Sequence, residues 1–174
     1  MKTELKAKFL QHLLGKKKED EGFTLIELLV VIIIIGILSA IALPSFINQA
    51  AKAKQTEAKT TISSVNKAQQ TQRIENGVFA TSITNLSIGL TASSTANYDY
   101  TLTAVGTGAS ATITASAKDT TSLKGYGGGV FISTPTGDAP SIICQTTGVQ
   151  GNTSSSGLTP TSATACPSGM EILK

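Results

Sequence analysis

The sequence predicts an α+β protein in which a long N-terminal helix, transmembrane in its first half and amphipathic in its second, packs on a small antiparallel sheet. Three observations carry this. Residues 23–43 read FTLIELLVVIIIIGILSAIAL, a 21-residue run whose only charge is Glu27. Apolar and small residues then recur at helical spacing to about residue 76. From Tyr98 the period switches to two. With 174 residues, the chain has room for one compact domain and a tail.

Charge is sparse and unevenly placed. Residues 1–22 hold six Lys and four acids, net +2, and the remaining eight Lys/Arg and seven acids leave the rest at +1. A near-neutral body without a basic cluster is a poor general nucleic-acid binder, because phosphate contacts need clustered Lys/Arg. The sole histidine, His12, lies in the charged N-terminal stretch, so removal of that stretch excludes His-based triads, metal sites and bases downstream.

The apolar run belongs in lipid. Fifteen of its residues are Phe, Leu, Ile or Val, which at about −0.3 to −0.6 kcal/mol each favour insertion by about 4.5–9 kcal/mol. One Glu near the end of the run costs about 3 kcal/mol or less, so insertion wins. Val30–Ile35 are six consecutive β-branched residues, a mediocre helix in water, but hydrocarbon forces every backbone group to pair within the helix. Five Lys lie within about 20 residues before the run and three after it, which favours a cytoplasmic N-terminus. Two plainer readings compete. In one the run is a simple anchor. In the other it is a secretory signal with Ala40-Ile41-Ala42 as its cleavage site, giving a mature chain from Leu43. A buried helix of a soluble domain is disfavoured, since such helices are seldom apolar on all faces for 21 residues.

Gly22-Phe23-Thr24-Leu25-Ile26-Glu27, followed by LLVVIIIIGILSAIALP, resembles the class III signal and N-terminal helix of type IV prepilins over about residues 16–76. The resemblance implies that a prepilin peptidase cuts between Gly22 and Phe23 and methylates the new Phe23 amine. It also implies assembly with copies of the same chain into a helical filament, built by the pilus assembly machinery from subunits held in the inner membrane. Phe23 and a mature length of 174 − 22 = 152 residues are similar to the type IVa group, whereas the 22-residue leader is closer to long-leader cyanobacterial pilins. A physical reason for the motif follows from the cut. A carboxylate among apolar helices must protonate or find a cation. The freed Phe23 amine of one subunit supplies one to Glu27 of its neighbour, setting the axial stagger.

From Ser45 the helix turns amphipathic, with Ile47, Ala51, Ala58, Ile62, Val65 and Ala68 as a narrow stripe. Pro44 lacks an amide hydrogen and predicts a kink; Gly36 is a second soft point. The resemblance implies that the segment between Gly36 and Pro44 unravels in the filament. Asn76-Gly77 predicts the C-cap. The chain thus divides into a leader (1–22), the polymerisation half of the helix (23–44), its amphipathic half (45–76) and a globular head (77–174).

In the head, residues 77–97 predict a wrapped loop. Tyr98, Tyr100, Leu102 and Ala104 alternate with polar residues, as do Ala111, Ile113, Ala115 and Ala117, with Gly106-Thr107-Gly108 between them as a hairpin turn. Val130–Ser133 and Ser141–Cys144 predict third and fourth strands. Gly127-Gly128-Gly129 has no following Lys and helix, so a flexible strand entry is expected rather than a phosphate loop. Cys144 and Cys166 are the only cysteines; two thiols in an oxidising space usually pair, and closing the loop contributes about 3 kcal/mol. The resemblance agrees, since many pilins bracket a surface loop with a C-terminal disulfide. Asn85-Leu-Ser87 and Asn152-Thr-Ser154 match the spacing of glycan acceptors, with plain solvated loop as the favoured alternative.

No catalytic constellation, metal set or cofactor motif is expected. The function implied is a structural subunit of an extracellular type IV pilus. The alternatives are a minor pilin or type II secretion pseudopilin, or a monomeric membrane-anchored glycan-binding domain.

Overall fold

A computed structural model describes residues 4, 7–11, 22–90, 92–104 and 108–173. The chain forms two compact units, residues 1–46 and 47–174. Helix α1, Leu25–Asn76, is continuous through Pro44 and closes where the Gly77 amide reaches the Arg73 carbonyl at 3.0 Å. Gly77 adopts φ +70°, the left-handed conformation that stops a helix cheaply only at glycine, as expected at Asn76-Gly77.

In the second unit, Ala58, Ile62 and Val65 of α1 are fully buried and Ala51 and Ala68 partly so, whereas Ile47 stays exposed. Two polar residues join the buried stripe. Asn66 donates to the Ile142 carbonyl at 3.0 Å. Gln69 donates to the Ala80 carbonyl at 2.8 Å and accepts from the Ala80 amide at 2.9 Å. Each satisfies backbone groups that burial would otherwise strand, which is how an amide side chain can occupy a core position.

The segment after α1 is irregular, as expected, but contributes Phe79 and a 3₁₀ turn at Ile83–Leu86 whose Ile83 and Leu86 enter the core. Five antiparallel strands follow in sequence order: β1 Tyr98–Ala104, β2 Ser110–Ala117, β3 Tyr126–Phe131, β4 Ser141–Thr146 and β5 Met170–Ile172. The register sets Tyr98, Tyr100 and Leu102 opposite Ala117, Ala115 and Ile113, so the predicted period-two faces pair directly. Of the hairpin turn, residues 105–107 lie outside the described residues. These aromatic and aliphatic side chains form one core with Ala58, Ile62 and Val65.

Two expectations are corrected. Four strands were expected and there are five; β5 is three residues long and pairs Met170 with Thr146 and Ile172 with Cys144. The glycine tract is not a flexible entry but the interior of β3, buried throughout. Its lack of side chains is what lets both sheet faces be covered: a Cβ on Gly128 would overlap Ile62 Cγ2, and one on Gly127 would overlap the Leu158 carbonyl oxygen.

Leu158 and Pro160 are both fully buried. They belong to a stretch whose composition suggested solvated loop, yet they cap the sheet on the face away from α1.

The three tyrosines are all in this core. Tyr98 and Tyr126 stack edge-on at 6.1 Å between centroids, and the Tyr98 hydroxyl donates to the Lys124 carbonyl at 3.1 Å. Burial raises the pKa of all three phenols, that of Tyr126 to about 12. The unfolded chain ionises near pH 10, so the stability these groups contribute is full below pH 10 and is lost as pH rises toward 12. Phenolate absorbance should therefore not appear stepwise but rise together with loss of the sheet's circular dichroism above pH 10. Ionisation of one or more tyrosines with the sheet intact would contradict their placement.

Candidate functional site

The N-terminal end of α1 is built by a reciprocal pair. The Thr24 amide and hydroxyl donate to Glu27 Oε2 at 2.8 and 2.7 Å, while the Glu27 amide donates to Thr24 Oγ1 at 3.3 Å. This is a capping box, in which residues three apart satisfy each other's free amides at the start of a helix. It fixes the Glu27 side chain immediately downstream of the Gly22–Phe23 bond. Glu27 Oε1 is not engaged in the box, so the carboxylate retains an oxygen for a second partner. Thr24 was missed as a site residue, although T-x-x-E before an apolar run is a legible capping signal.

Beyond the box, every residue from Phe23 to Gln49 is exposed. Phe23 is 82% exposed and Ile41 74%, values that place the entire apolar circumference of the helix outside the chain's own packing. Among the described residues one helix, α1, is long and apolar enough to cross a membrane. Gly36 lies within it with nothing near the position a Cβ would take. Pro44 lies eight residues on, where the missing amide leaves the Ala40 carbonyl without its intrahelical donor. The structure therefore brings Gly22, Phe23, Thr24 and Glu27 together at one helix end and sets Gly36 and Pro44 along the same element.

Cys144 and Cys166 are joined by a disulfide, with Cα atoms 5.7 Å apart. Cys144 is buried in β4, so the bond ties the end of the 147–165 segment to the sheet. The same segment is also held by Leu158 and Pro160, and β5 follows it. Cys144→Ser with Cys166→Ser should therefore lower stability by about 3 kcal/mol or less while the fold persists. Thermal unfolding with and without reductant measures this; collapse of the sheet on reduction would contradict the apolar anchoring. Asn85 and Asn152 are both exposed, Asn85 within the 3₁₀ turn. Among the described residues, no group of three or more His, Cys, Asp or Glu is arranged to hold a metal ion.

Comparison with known proteins matches residues 55–167 to a family described as type IV pilin-like G and H. Residues 17–43 match the prokaryotic N-terminal methylation motif. The chain is 55% identical over 51 residues to the type IV major pilin protein PilA of Myxococcus xanthus, covering 29% of this chain and 23% of that one. It is 35% identical over 66 residues to the type II secretion system core protein G of Vibrio cholerae, covering 38% and 45%. To the fimbrial protein EcpC of Eikenella corrodens it is 35% identical over 112 residues, covering 64% and 72%. The matches to the first two relatives thus span less than half of those proteins' own lengths.

Proposed function

Because this chain belongs to the type IV pilin-like family, a family of structural, non-enzymatic proteins, we propose that it is the principal subunit of an extracellular type IV pilus. In this reading the precursor sits in the inner membrane through residues 23–43 with its N-terminus in the cytoplasm. Prepilin peptidase cuts after Gly22 and methylates Phe23. The mature chain then leaves the bilayer for a filament made of its own copies, raised by the assembly machinery.

The observation that carries this is the unpartnered apolar circumference of Phe23–Leu43, with one carboxylate held in place at its start. An anchor explains the apolar surface. It explains Glu27 only as a helix cap, a role that a neutral Gln would fill without the cost of a charge in hydrocarbon. Assembly explains both, since neighbouring helices replace lipid around the run and a neighbour's Phe23 amine meets Glu27. Gly36 and Pro44 then mark the ends of a stretch that gives way when the filament is stretched.

A second reading is favoured by the matches to secretion-system core proteins: a pseudopilin of a type II secretion system. Shearing filaments from cells and weighing their composition separates the two. This chain should be the dominant protein of the sheared fraction. Its presence only in trace amounts, with a different dominant subunit, would favour the minor-pilin or pseudopilin reading.

A further inference from the structure

Among the described residues, two buried polar atoms lack a hydrogen-bond partner, and both lie where α1 meets β1. Tyr100 of β1 is 3% exposed, and its hydroxyl is one of them. Glu57, half-buried on α1, accepts from the Asn97 side-chain amide through Oε2 at 2.7 Å, while its Oε1 is the other. A buried hydroxyl or carboxylate oxygen left bare forfeits its hydration, so such atoms are nearly always paired.

The two atoms share one surrounding. Burial is the main cause of the raised Tyr100 pKa; beyond it the Thr61 hydroxyl lowers the value, the Glu57 carboxylate raises it and the Thr95 hydroxyl lowers it, so all three groups lie around the phenol oxygen. Glu57 and Thr61 are one turn apart on α1 and face the same way. Thr95 is already engaged, since its hydroxyl donates to the Tyr98 carbonyl at 3.3 Å and accepts from the Tyr98 amide at 3.2 Å. Glu57, Thr61 and Tyr100 therefore offer a carboxylate oxygen and two hydroxyls to a shared partner.

A buried water needs about two to four polar partners, and these suit it. It can accept from the Tyr100 hydroxyl and donate to Glu57 Oε1 and Thr61 Oγ1. A divalent cation suits them poorly, because one carboxylate and neutral hydroxyls fall short of the oxygen set that calcium takes.

We propose that one ordered water molecule is bound between Glu57 Oε1 and the Tyr100 hydroxyl, with Thr61 as its third contact, as the polar part of the joint between α1 and β1. The site does not depend on how the chain assembles. It fixes the Tyr100 ring, which packs on Tyr98 at 6.4 Å between centroids. Through Asn97, Glu57 also holds the segment that covers the outer edge of β1. There the Tyr100 amide donates to the Ser93 carbonyl at 2.7 Å and the Thr95 amide to the Tyr98 carbonyl at 2.8 Å. The joint thereby shields an edge strand that would otherwise be open to pairing with another chain.

The test uses the full chain in detergent. Its crystal structure should show a single peak about 2.6–3.2 Å from both Glu57 Oε1 and the Tyr100 hydroxyl. Tyr100→Phe should lower Tm by about 2–5 °C. Thr61→Val added to Tyr100→Phe should cost less than Thr61→Val alone, because the two hydroxyls serve one water. An unchanged or higher Tm for Tyr100→Phe overturns the proposal, since deleting an unpaired buried hydroxyl carries no such loss. Direct contact of the phenol with Glu57 or Thr61 in the crystal overturns it, as does a peak with the shorter and more numerous contacts of a cation. Additive losses in the double variant overturn the third contact.

Discussion

Glu27→Ala should insert into the membrane and be cut normally, yet yield almost no filament. Replacing the carboxylate removes an insertion penalty of about 3 kcal/mol or less, so the membrane pool should be equal or larger. In the proposed filament the same change would leave each neighbour's Phe23 ammonium without its counter-charge. Breaking such a pair by removing one partner costs about 3–5 kcal/mol, and a filament repeats the contact at every subunit.

The capping box sharpens this test. Glu27 also accepts from Thr24, so alanine removes a helix cap as well as a charge. Glu27→Gln retains the capping geometry, since Gln serves at that position too, and removes only the charge. Thr24→Ala does the reverse. If the ion pair governs stagger, Glu27→Gln should be nearly as deficient as Glu27→Ala and Thr24→Ala only mildly so. Filament yield by shearing and electron microscopy, read beside the N-terminus of the membrane pool, decides it. Normal filaments from correctly cut Glu27→Ala protein would return Glu27 to the role of a helix cap on a simple anchor.

Gly128→Val should be strongly destabilising, because it closes the contact between β3 and α1. Its Cβ would overlap Ile62, which is fully buried, and sit 3.1 Å from Asn66 Oδ1. Asn66 in turn holds the Ile142 carbonyl, so a shift of α1 away from β3 would also strain that hydrogen bond. Overpacking of this kind costs about 1–3 kcal/mol for a methylene or two, and the β-branched Ile62 has little rotamer freedom within a helix with which to yield. At about 4 °C per kcal/mol for a domain of this size, a loss of about 10 °C in Tm is expected in detergent-solubilised protein. Ile62→Ala should be destabilising alone but should partly rescue Gly128→Val, because it vacates the space that the new side chain needs. Additive losses in the double variant would place Ile62 and Gly128 out of contact.

What could be read in advance followed from strong local chemistry. The apolar run, the Asn76-Gly77 stop and the alternation in β1 and β2 each have one dominant physical cause, and α1, β1 and β2 fall where those causes put them. Gly127–Gly129 misled because glycine's backbone freedom and its small size point to opposite structures. Only the placement of Ile62 and Leu158 on either side of β3 selects the second. β5 has three residues, too few for a period, and is defined by pairing with β4. Asn66 and Gln69 look like solvated helix positions until the carbonyls of Ile142 and Ala80 are brought to them by the tertiary fold. At the candidate site, Glu27 stood out because a lone acid in an apolar run is costly, and Gly22 and Phe23 through the resemblance of GFTLIE to prepilin signals. Thr24 was overlooked because its role is local to the helix end.

The central claim is that the apolar segment is retained as an assembly helix whose first residue is Phe23. Mass spectrometry of the mature chain from the cell surface tests it most directly. The account predicts a 152-residue species, 174 − 22, beginning at N-methylated Phe23 and carrying the Cys144–Cys166 disulfide. A chain beginning at Leu43 would contradict it, since the helix that is to hold the filament together would have been discarded with a secretory signal.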